Sequence, residues 1–254
     1  MRFPRHRTVS YAPSALVVAT CLLAGAFLTP LVAQPATPRY EVKRATSAIT
    51  IDGRLDEPTW TAASAPVTLQ FLWDEQTGAK QQTRARVVWD DEALYIGYDA
   101  DDADITAQYT ERDDPTYRDD AVEIFINPRP DQTGVYYGFE WNARGVMYDY
   151  LNYNSRTLFK HFDARGVEVA TALRGTLNER SDTDNGWSLE AKIPWANFET
   201  LSPRPPAAGT VWKANFNRWD GVAPDRRMSI WSDPQNETSW PHVLERFGEL
   251  VFVE

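Results

Sequence analysis

Apolar and polar residues alternate with a period of two along most of the chain, which predicts a protein built from short β-strands. In Ala121–Asn127, for example, three aliphatic residues would face one side of a sheet, while Glu123 and Phe125 face the other. Pairs such as Asp52-Gly53 mark turns, and no long amphipathic helix interrupts the series. We predict strands over Ala48–Ile51, Thr83–Trp89, Leu94–Ala100, Ala121–Asn127, Val135–Asn142, Gly145–Tyr150, Gly166–Leu173, Gly186–Ile193, Val211–Asn217 and Glu249–Val253.

Two segments carry helical signals. Leu55–Ala63 predicts a short helix with Asp56 as its N-cap and Pro58 in the first turn. Pro194–Leu201 predicts a further helical turn. Many short strands with hairpin connections indicate an all-β fold, and we predict one antiparallel β-sandwich domain with short helical turns.

The N-terminus has the pattern of a secretory signal peptide. Arg2, Arg5 and Arg7 form a positive region, an apolar stretch follows, and the small residue Ala33 ends it. The alternative is an uncleaved membrane anchor, because the uncharged span is long enough to cross a bilayer. We predict a signal peptide over residues 1–33, a linker over 34–39, a domain over 40–254, and a secreted or periplasmic location.

Composition excludes several classes of function. Cys21, the only cysteine, lies in the predicted signal, so the mature chain has neither disulfides nor a catalytic thiol. The formal charge of -10 falls to about -13 once the three N-terminal arginines are removed. Nucleic acids and anionic membranes are therefore disfavoured as partners. Neutral polymers, cations and small polar ligands remain.

Two aromatic residues and one carboxylate suggest a sugar site. Tyr117 directly precedes the strand that carries Glu123, and Trp240 ends a polar, turn-rich loop. Aromatic rings stack on the apolar face of a pyranose, and carboxylates accept hydrogen bonds from its hydroxyls. The alternative is ordinary structure: a loop tyrosine, a solvated glutamate and a tryptophan covering the core. Trp231, in the same loop, is predicted to pack inward.

Five motifs in order give the chain a family resemblance. They read AITIDGRLDEPTW, RVVWDDEALYIGYDADD, YRDDAVEIFIN, GWSLEAKIPW and IWSDPQNETSWPHVLERFGELVF. Together they resemble carbohydrate-binding modules of family 9 and the wider DOMON-like β-sandwich group, from about Tyr40 to Glu254. The resemblance implies a secreted, non-catalytic protein that binds poly- or oligosaccharides during breakdown of xylan- or glucan-type polymers. It also implies a possible hydrolase partner such as a xylanase.

The resemblance also implies roles for individual residues. Tyr117 and Trp240 match the two aromatics that sandwich a terminal sugar, and Glu123 matches a carboxylate that binds its hydroxyls. Asn236 falls near a polar residue of the second loop. Glu140 stands where the family pattern has an arginine, and a carboxylate cannot donate the same forked hydrogen bonds. We therefore expect ligand contacts that differ from those of the family.

Two other functions stay open at this stage. Glu123 and Glu140 lie on neighbouring predicted strands and could form a glycosidase pair. Some DOMON-like sandwiches hold haem between a methionine and a histidine, and candidates are present. These haem candidates are Met147, Met228, His161 and His242.

Acidic runs raise the possibility of structural calcium, which members of the family carry, although no cofactor is required for the predicted binding. No calcium loop of the twelve-residue type is present in the sequence, and we assign no ligands. The acids in question are Asp99, Asp101, Asp102, Asp104, Asp113, Asp114, Asp119 and Asp120.

Overall fold

A computed structural model describes residues 36–73, 80–132, 134–153, 157–202, 205–221 and 225–254. Residues 36–254 form one compact unit. The predicted signal peptide and its alternative, a membrane anchor, lie outside the described residues. Among the helices of the described part, none has the length and apolarity needed to cross a bilayer.

The described residues form a mainly β structure, as predicted. The strands are β1 (Arg39–Arg44), β2 (Val67–Thr68), β3 (Thr83–Trp89), β4 (Ala93–Ala100), β5 (Ala121–Asn127), β6 (Val135–Asn142), β7 (Met147–Tyr153), β8 (Thr157–Phe159), β9 (Glu168–Leu173), β10 (Trp187–Pro194), β11 (Val211–Asp220), β12 (Arg227–Ile230) and β13 (Gly248–Phe252). One α-helix, α1, spans Pro58–Ala62, and short 3-10 helices span Thr116–Arg118, Trp195–Phe198 and Leu244–Arg246.

The strands form two sheets that β1 joins. One sheet runs β8-β7-β6-β5-β11-β13 and the other β3-β4-β10-β9, with β12 paired to β11 and β2 paired to β3. β1 pairs with β13 through its first residues and with β3 through its last two, and both pairings are parallel. The other strand pairings in the described part are antiparallel, so the predicted antiparallel sandwich is confirmed apart from this one strand.

Some predicted elements differ from the structure. Ala48–Ile51 is not a strand, because the Thr50 N–H donates to Glu57 Oε1 at 3.0 Å instead of to a neighbouring strand. Glu57, not Asp56, is the N-cap of α1. Arg39, the last residue of the predicted linker, is the first residue of β1.

Strands β5, β6 and β7 carry packed side chains on both faces, and the outer of these two layers holds the candidate site. Their inner faces contribute side chains such as Ile124 and Phe139 to the main core between the sheets. Their outer faces carry a second, mostly aromatic cluster. This outer cluster consists of Phe125, Tyr136, Tyr148, Tyr150, Leu244 and Phe247, with Tyr117 packed against it.

Gly138 makes room for one ring of the outer cluster. It pairs with Tyr150 across β6 and β7, and a Cβ added to it would overlap the Tyr150 ring. We expect Gly138→Ala to lower the free energy of unfolding by about 1–3 kcal/mol, because an overpacked ring must move. Urea denaturation measures this loss.

A double-mutant cycle provides the control. In a Tyr150→Ala background the added methyl has free space, so Gly138→Ala should then cost little. Equal costs in both backgrounds would show that the Tyr150 ring does not restrict this position.

Candidate functional site

An open cavity of about 370 Å³ lies on the outer face of β5–β7. Charged, aromatic and small polar side chains line it. The lining residues are Tyr117, Glu123, Glu140, Tyr148, Tyr150, Leu158, Lys160, Trp219, Arg226, Ser239, Trp240, Pro241 and His242. Four of the five residues predicted to bind sugar are therefore brought together at one site.

Glu123 and Glu140 lie side by side in this cavity. They are directly opposite each other in the antiparallel pairing of β5 with β6, so their side chains project from the same face. Glu123 is 2% exposed and Glu140 is 3% exposed, and the Oε2 atom of each has no hydrogen-bond partner in the protein. The cavity therefore contains two buried acceptors that a ligand can satisfy.

The surroundings of the two carboxyls favour their protonated forms. Burial raises the pKa of Glu123 to about 7, although the nearby charge of Arg226 opposes this rise. Burial, followed by repulsion from Glu123, raises the pKa of Glu140 well above its usual value. At neutral pH the two groups therefore do not both carry a full negative charge.

Arg226 places a cation beside the two carboxyls. The carbon at the centre of its guanidinium lies 3.8 Å from the centroid of the Trp219 ring, which holds the group by cation–π stacking. Its Nε and Nη2 are buried without a hydrogen-bond partner in the protein. Sequence reasoning missed Arg226, because it lies between β11 and β12 and belongs to no motif.

Two aromatic side chains border the cavity. Tyr117, in the 3-10 helix Thr116–Arg118, is half-buried, and its ring centroid lies 5.9 Å from that of Tyr148. Trp240 is 55% exposed, and its ring centroid lies 4.5 Å from that of His242. Trp231, by contrast, is buried against Phe216. The two predicted stacking residues thus line the same open space.

Asn236 is not among the residues that line the cavity, contrary to the expected role in binding. The side-chain Nδ2 of Asn236 donates to the backbone oxygen of Trp240 at 2.8 Å. The backbone oxygen of Asn236 accepts from Trp73 Nε1 at 3.2 Å. Asn236 therefore holds the loop that carries Trp240.

Other lining residues were not predicted. Tyr148 and Tyr150 alternate along β7, so both side chains lie on the face that carries the cavity. The predicted strand ended at Tyr150, before β7 does, and its residues were not assigned to faces. Burial lowers the pKa of His242 to about 4, so its ring is neutral at pH 7. The His242 ring stacks on Phe125, and its Nδ1 is hydrogen-bonded to the Tyr136 hydroxyl at 2.5 Å.

A second group of carboxylates is buried outside this cavity. Oxygens of Asp102, Asp120 and Asp220 come within 4.8 Å of one another, and all three residues are buried. Arg218 fills this cluster: its Nη2 is 2.7 Å from Asp102 Oδ2 and 3.0 Å from Asp220 Oδ1. Arg227 also pairs with Asp220, at 2.9 Å.

This carboxylate cluster does not fit a resident calcium ion. Both oxygens of each of its three aspartates already accept a hydrogen bond from the protein. The donors are arginines, backbone N–H groups and neutral side chains. Asp119, from the same acidic run, likewise accepts the N–H groups of Gln108 and Tyr109. In the described part of the chain, these acids hold loops and arginines.

The haem candidates lie in different surroundings. Met147 belongs to the main core, and Met228 belongs to a small separate cluster. His242 packs in the outer aromatic cluster, and His161 is exposed. The structure therefore does not place these residues in one common pocket.

Aromatic rings and unpaired hydrogen-bonding groups around one open cavity are features typical of a small-ligand binding site. The family model described as "Carbohydrate family 9 binding domain-like" matches residues 51–254. The chain belongs to this family, as the sequence motifs predicted.

Solved structures share the fold at low sequence identity. A protein from Bacteroides uniformis, described as a candidate carbohydrate-binding protein, has a TM-score of 0.70 at 19% identity, covering 85% of this chain and 100% of that one. A family 9 module from Caldicellulosiruptor kristjanssonii in complex with cellotriose has a TM-score of 0.59 at 19% identity, covering 85% and 93%. The same organism's module in complex with glucose has a TM-score of 0.57 at 19% identity, covering 84% and 95%. No curated protein matches the chain at a significant level.

The buried arginine network gives a stability prediction. We expect Arg218→Met to lower the free energy of unfolding by about 3–5 kcal/mol, because it leaves the buried Asp102 without its cation and Asp220 with Arg227 alone. Thermal and urea denaturation measure this loss.

Neither calcium nor a chelator should shift the melting temperature of the unmodified protein. A rise of several degrees with calcium would contradict the assignment of the cluster as a salt-bridge network.

Proposed function

We propose that this protein is an exported, non-catalytic module that binds a carbohydrate in the cavity on the outer face of β5–β7. The observation that supports this most directly is the set of buried, unpaired polar atoms beside the aromatic rings. Glu123 and Glu140 each offer an unpaired oxygen, and Arg226 offers unpaired N–H groups. A buried polar group without a partner costs about 1–3 kcal/mol, and a polyhydroxylated ligand satisfies donors and acceptors at once.

The proposed binding mode combines stacking with hydrogen bonding. Tyr117 and Trp240 would contact the apolar face of a sugar ring, and each such contact contributes on the order of 1 kcal/mol. Glu123 would orient the hydroxyls from the floor of the cavity. Arg226 would donate the forked hydrogen bonds that Glu140 lacks at the family's arginine position. Membership of a carbohydrate-binding family supports this mode.

The arrangement of the carboxyls favours binding over catalysis. In a glycosidase, the two carboxyl groups flank the scissile bond. Here Glu123 and Glu140 project side by side from adjacent strands, so both approach a ligand from the same side. We therefore propose that they orient a ligand without cleaving it.

The wider context of the proposal comes from the sequence and the family. The N-terminal pattern of residues 1–33 supports export to the periplasm or the outside of the cell. Glucose and cellotriose, the ligands in the two solved complexes of similar fold, are the first ligands to test. We propose a role beside a hydrolase that degrades a glucan- or xylan-type polymer. We also propose that the buried aspartates around Arg218 need no structural metal, because the guanidinium already neutralises them.

Trp240 provides the first test. We expect Trp240→Ala to abolish retention on polysaccharide affinity gels and to weaken binding of cellotriose about five-fold or more, because a stacking face is lost. The free energy of unfolding should change by about 0.5 kcal/mol or less, because the side chain is largely exposed.

Tyr153→Ala is the matched control for Trp240→Ala. Tyr153 is 60% exposed but does not line the cavity, so both binding and stability should be kept. Equal retention of both variants, or a large stability loss for Trp240→Ala, would contradict a stacking role for Trp240.

Arg226 provides the second test. We expect Arg226→Met to weaken sugar binding by about ten-fold or more, because hydrogen bonds from a charged donor contribute roughly 1.5–3 kcal/mol each. Arg226→Lys keeps the charge but not the fork, and should restore only part of the affinity. Calorimetric titration measures both variants, and circular dichroism checks that each is folded. Unchanged affinity in Arg226→Met would exclude the guanidinium from ligand contact.

A further inference from the structure

We propose that the Glu123–Glu140 pair holds one proton, and that this proton lies on Glu140, whose O–H donates a hydrogen bond to the bound sugar instead of to Glu123. This inference rests on the proposed function, because the donor role requires a ligand in the cavity. The sharing of the proton itself is a property of the ligand-free protein. The two parts can therefore fail separately.

The first argument is the geometry of the pair. Cross-strand neighbours in an antiparallel sheet have Cβ atoms about 4.5–5.5 Å apart. Glu123 and Glu140 hold this relation, and both are almost fully buried. Two carboxylates that share a site do not both ionise easily, because each negative charge raises the cost of the other. One proton on either carboxyl of the pair removes this repulsion.

The second argument is the supply of positive charge around the pair. Several elements bring titratable or charged groups towards it. These are Arg226 from the segment before β12, Lys160 after β8, Tyr148 and Tyr150 from β7, and Tyr136 from β6. Of the two cations, Lys160 is exposed and interacts with Tyr148, whereas Arg226 is partly buried. One partly buried arginine therefore faces two buried carboxyls.

The third argument assigns the proton to one residue. Burial is the main influence on both groups, but the next largest differs. For Glu123 it is the attraction of Arg226, which favours the charged form. For Glu140 it is the repulsion of Glu123, which favours the neutral form. Arg226 also attracts the charged form of Glu140, but its influence there is smaller than the repulsion from Glu123. We therefore assign the proton to Glu140 and the charge to Glu123.

The chemical consequence concerns the residue that departs from the family pattern. A carboxylate only accepts hydrogen bonds, whereas a carboxylic acid also donates one. As an acid, Glu140 presents an O–H at the position where the family pattern has arginine N–H groups. Glu140 thus keeps a donor there without adding a charge. Sugar affinity should be full while the shared proton is bound and should fall as rising pH removes it.

Carboxyl titration tests the shared proton without any ligand. Protein labelled with ¹³C at the glutamate side-chain carboxyls is followed by NMR from pH 3 to 10, as the unmodified chain, Glu140→Gln and Glu123→Gln. We expect the unmodified protein to show a carboxyl that titrates near or above pH 7. In Glu140→Gln this transition should disappear, and Glu123 should titrate at lower pH. Ordinary midpoints near 4.5 for both carboxyls would overturn the proposal.

Calorimetric binding of glucose and cellotriose between pH 5 and 9 tests the donor role. The unmodified protein should lose affinity about ten-fold as the pair gives up its proton, which corresponds to one hydrogen bond. Glu140→Gln, whose amide donates at every pH, should bind with little dependence on pH. Glu41→Gln, which changes an exposed glutamate on β1 outside the cavity, should behave like the unmodified protein.

The outcomes of the two experiments are distinguishable. A high carboxyl midpoint together with pH-independent binding would keep the shared proton and overturn the donor role. A high midpoint with no binding of either sugar at any pH would support the shared proton and count against both the donor role and the proposed function with these ligands. Ordinary midpoints would overturn the inference whatever the binding result.

Discussion

The register between β5 and β6 is the constraint on which the cavity depends. Glu123 lies opposite Glu140 on the outer face, and Ile124 lies opposite Phe139 in the main core. A slip of one residue in either strand would turn the carboxyl of that strand into the core and an apolar side chain into the cavity. The burial of apolar side chains between the two sheets therefore also fixes the polar chemistry of the opposite face.

The strands with strong alternation were predictable from the sequence. Thr83–Trp89, Ala121–Asn127 and Val135–Asn142 have the predicted bounds, because their inward positions are aliphatic or aromatic and turn residues flank them. β2 and β8 have only two and three residues, too few for a periodic pattern. β1 was missed for another reason. Its place between β13 and β3 depends on partners far along the chain, which local sequence does not report.

The candidate site was predictable to the extent that motifs mark it. Tyr117, Glu123 and Trp240 lie in segments that resemble a known family, and the fold brings them to one cavity. Arg226 has no such signal, since its contribution arises only when the segment before β12 stacks it on Trp219. Asn236 shows the opposite case: its position in a motif suggested a ligand contact, but its hydrogen bonds hold the loop.

The location of the positive charge differs from the one that the sequence resemblance implies, an arginine at the position of Glu140 on β6. An arginine on β6 would be held by the sheet itself, like Glu123 on β5. In this chain the strands instead hold two carboxyls, and the guanidinium approaches from a separate segment, held by the face of one indole ring. Because hydrogen bonds to sugar hydroxyls are directional, moving the donor changes which hydroxyls it reaches. The cavity therefore combines aromatic walls with two carboxyls on its floor, and under the proposed function its ligand preference depends on how Arg226, Glu123 and Glu140 divide their charges and protons.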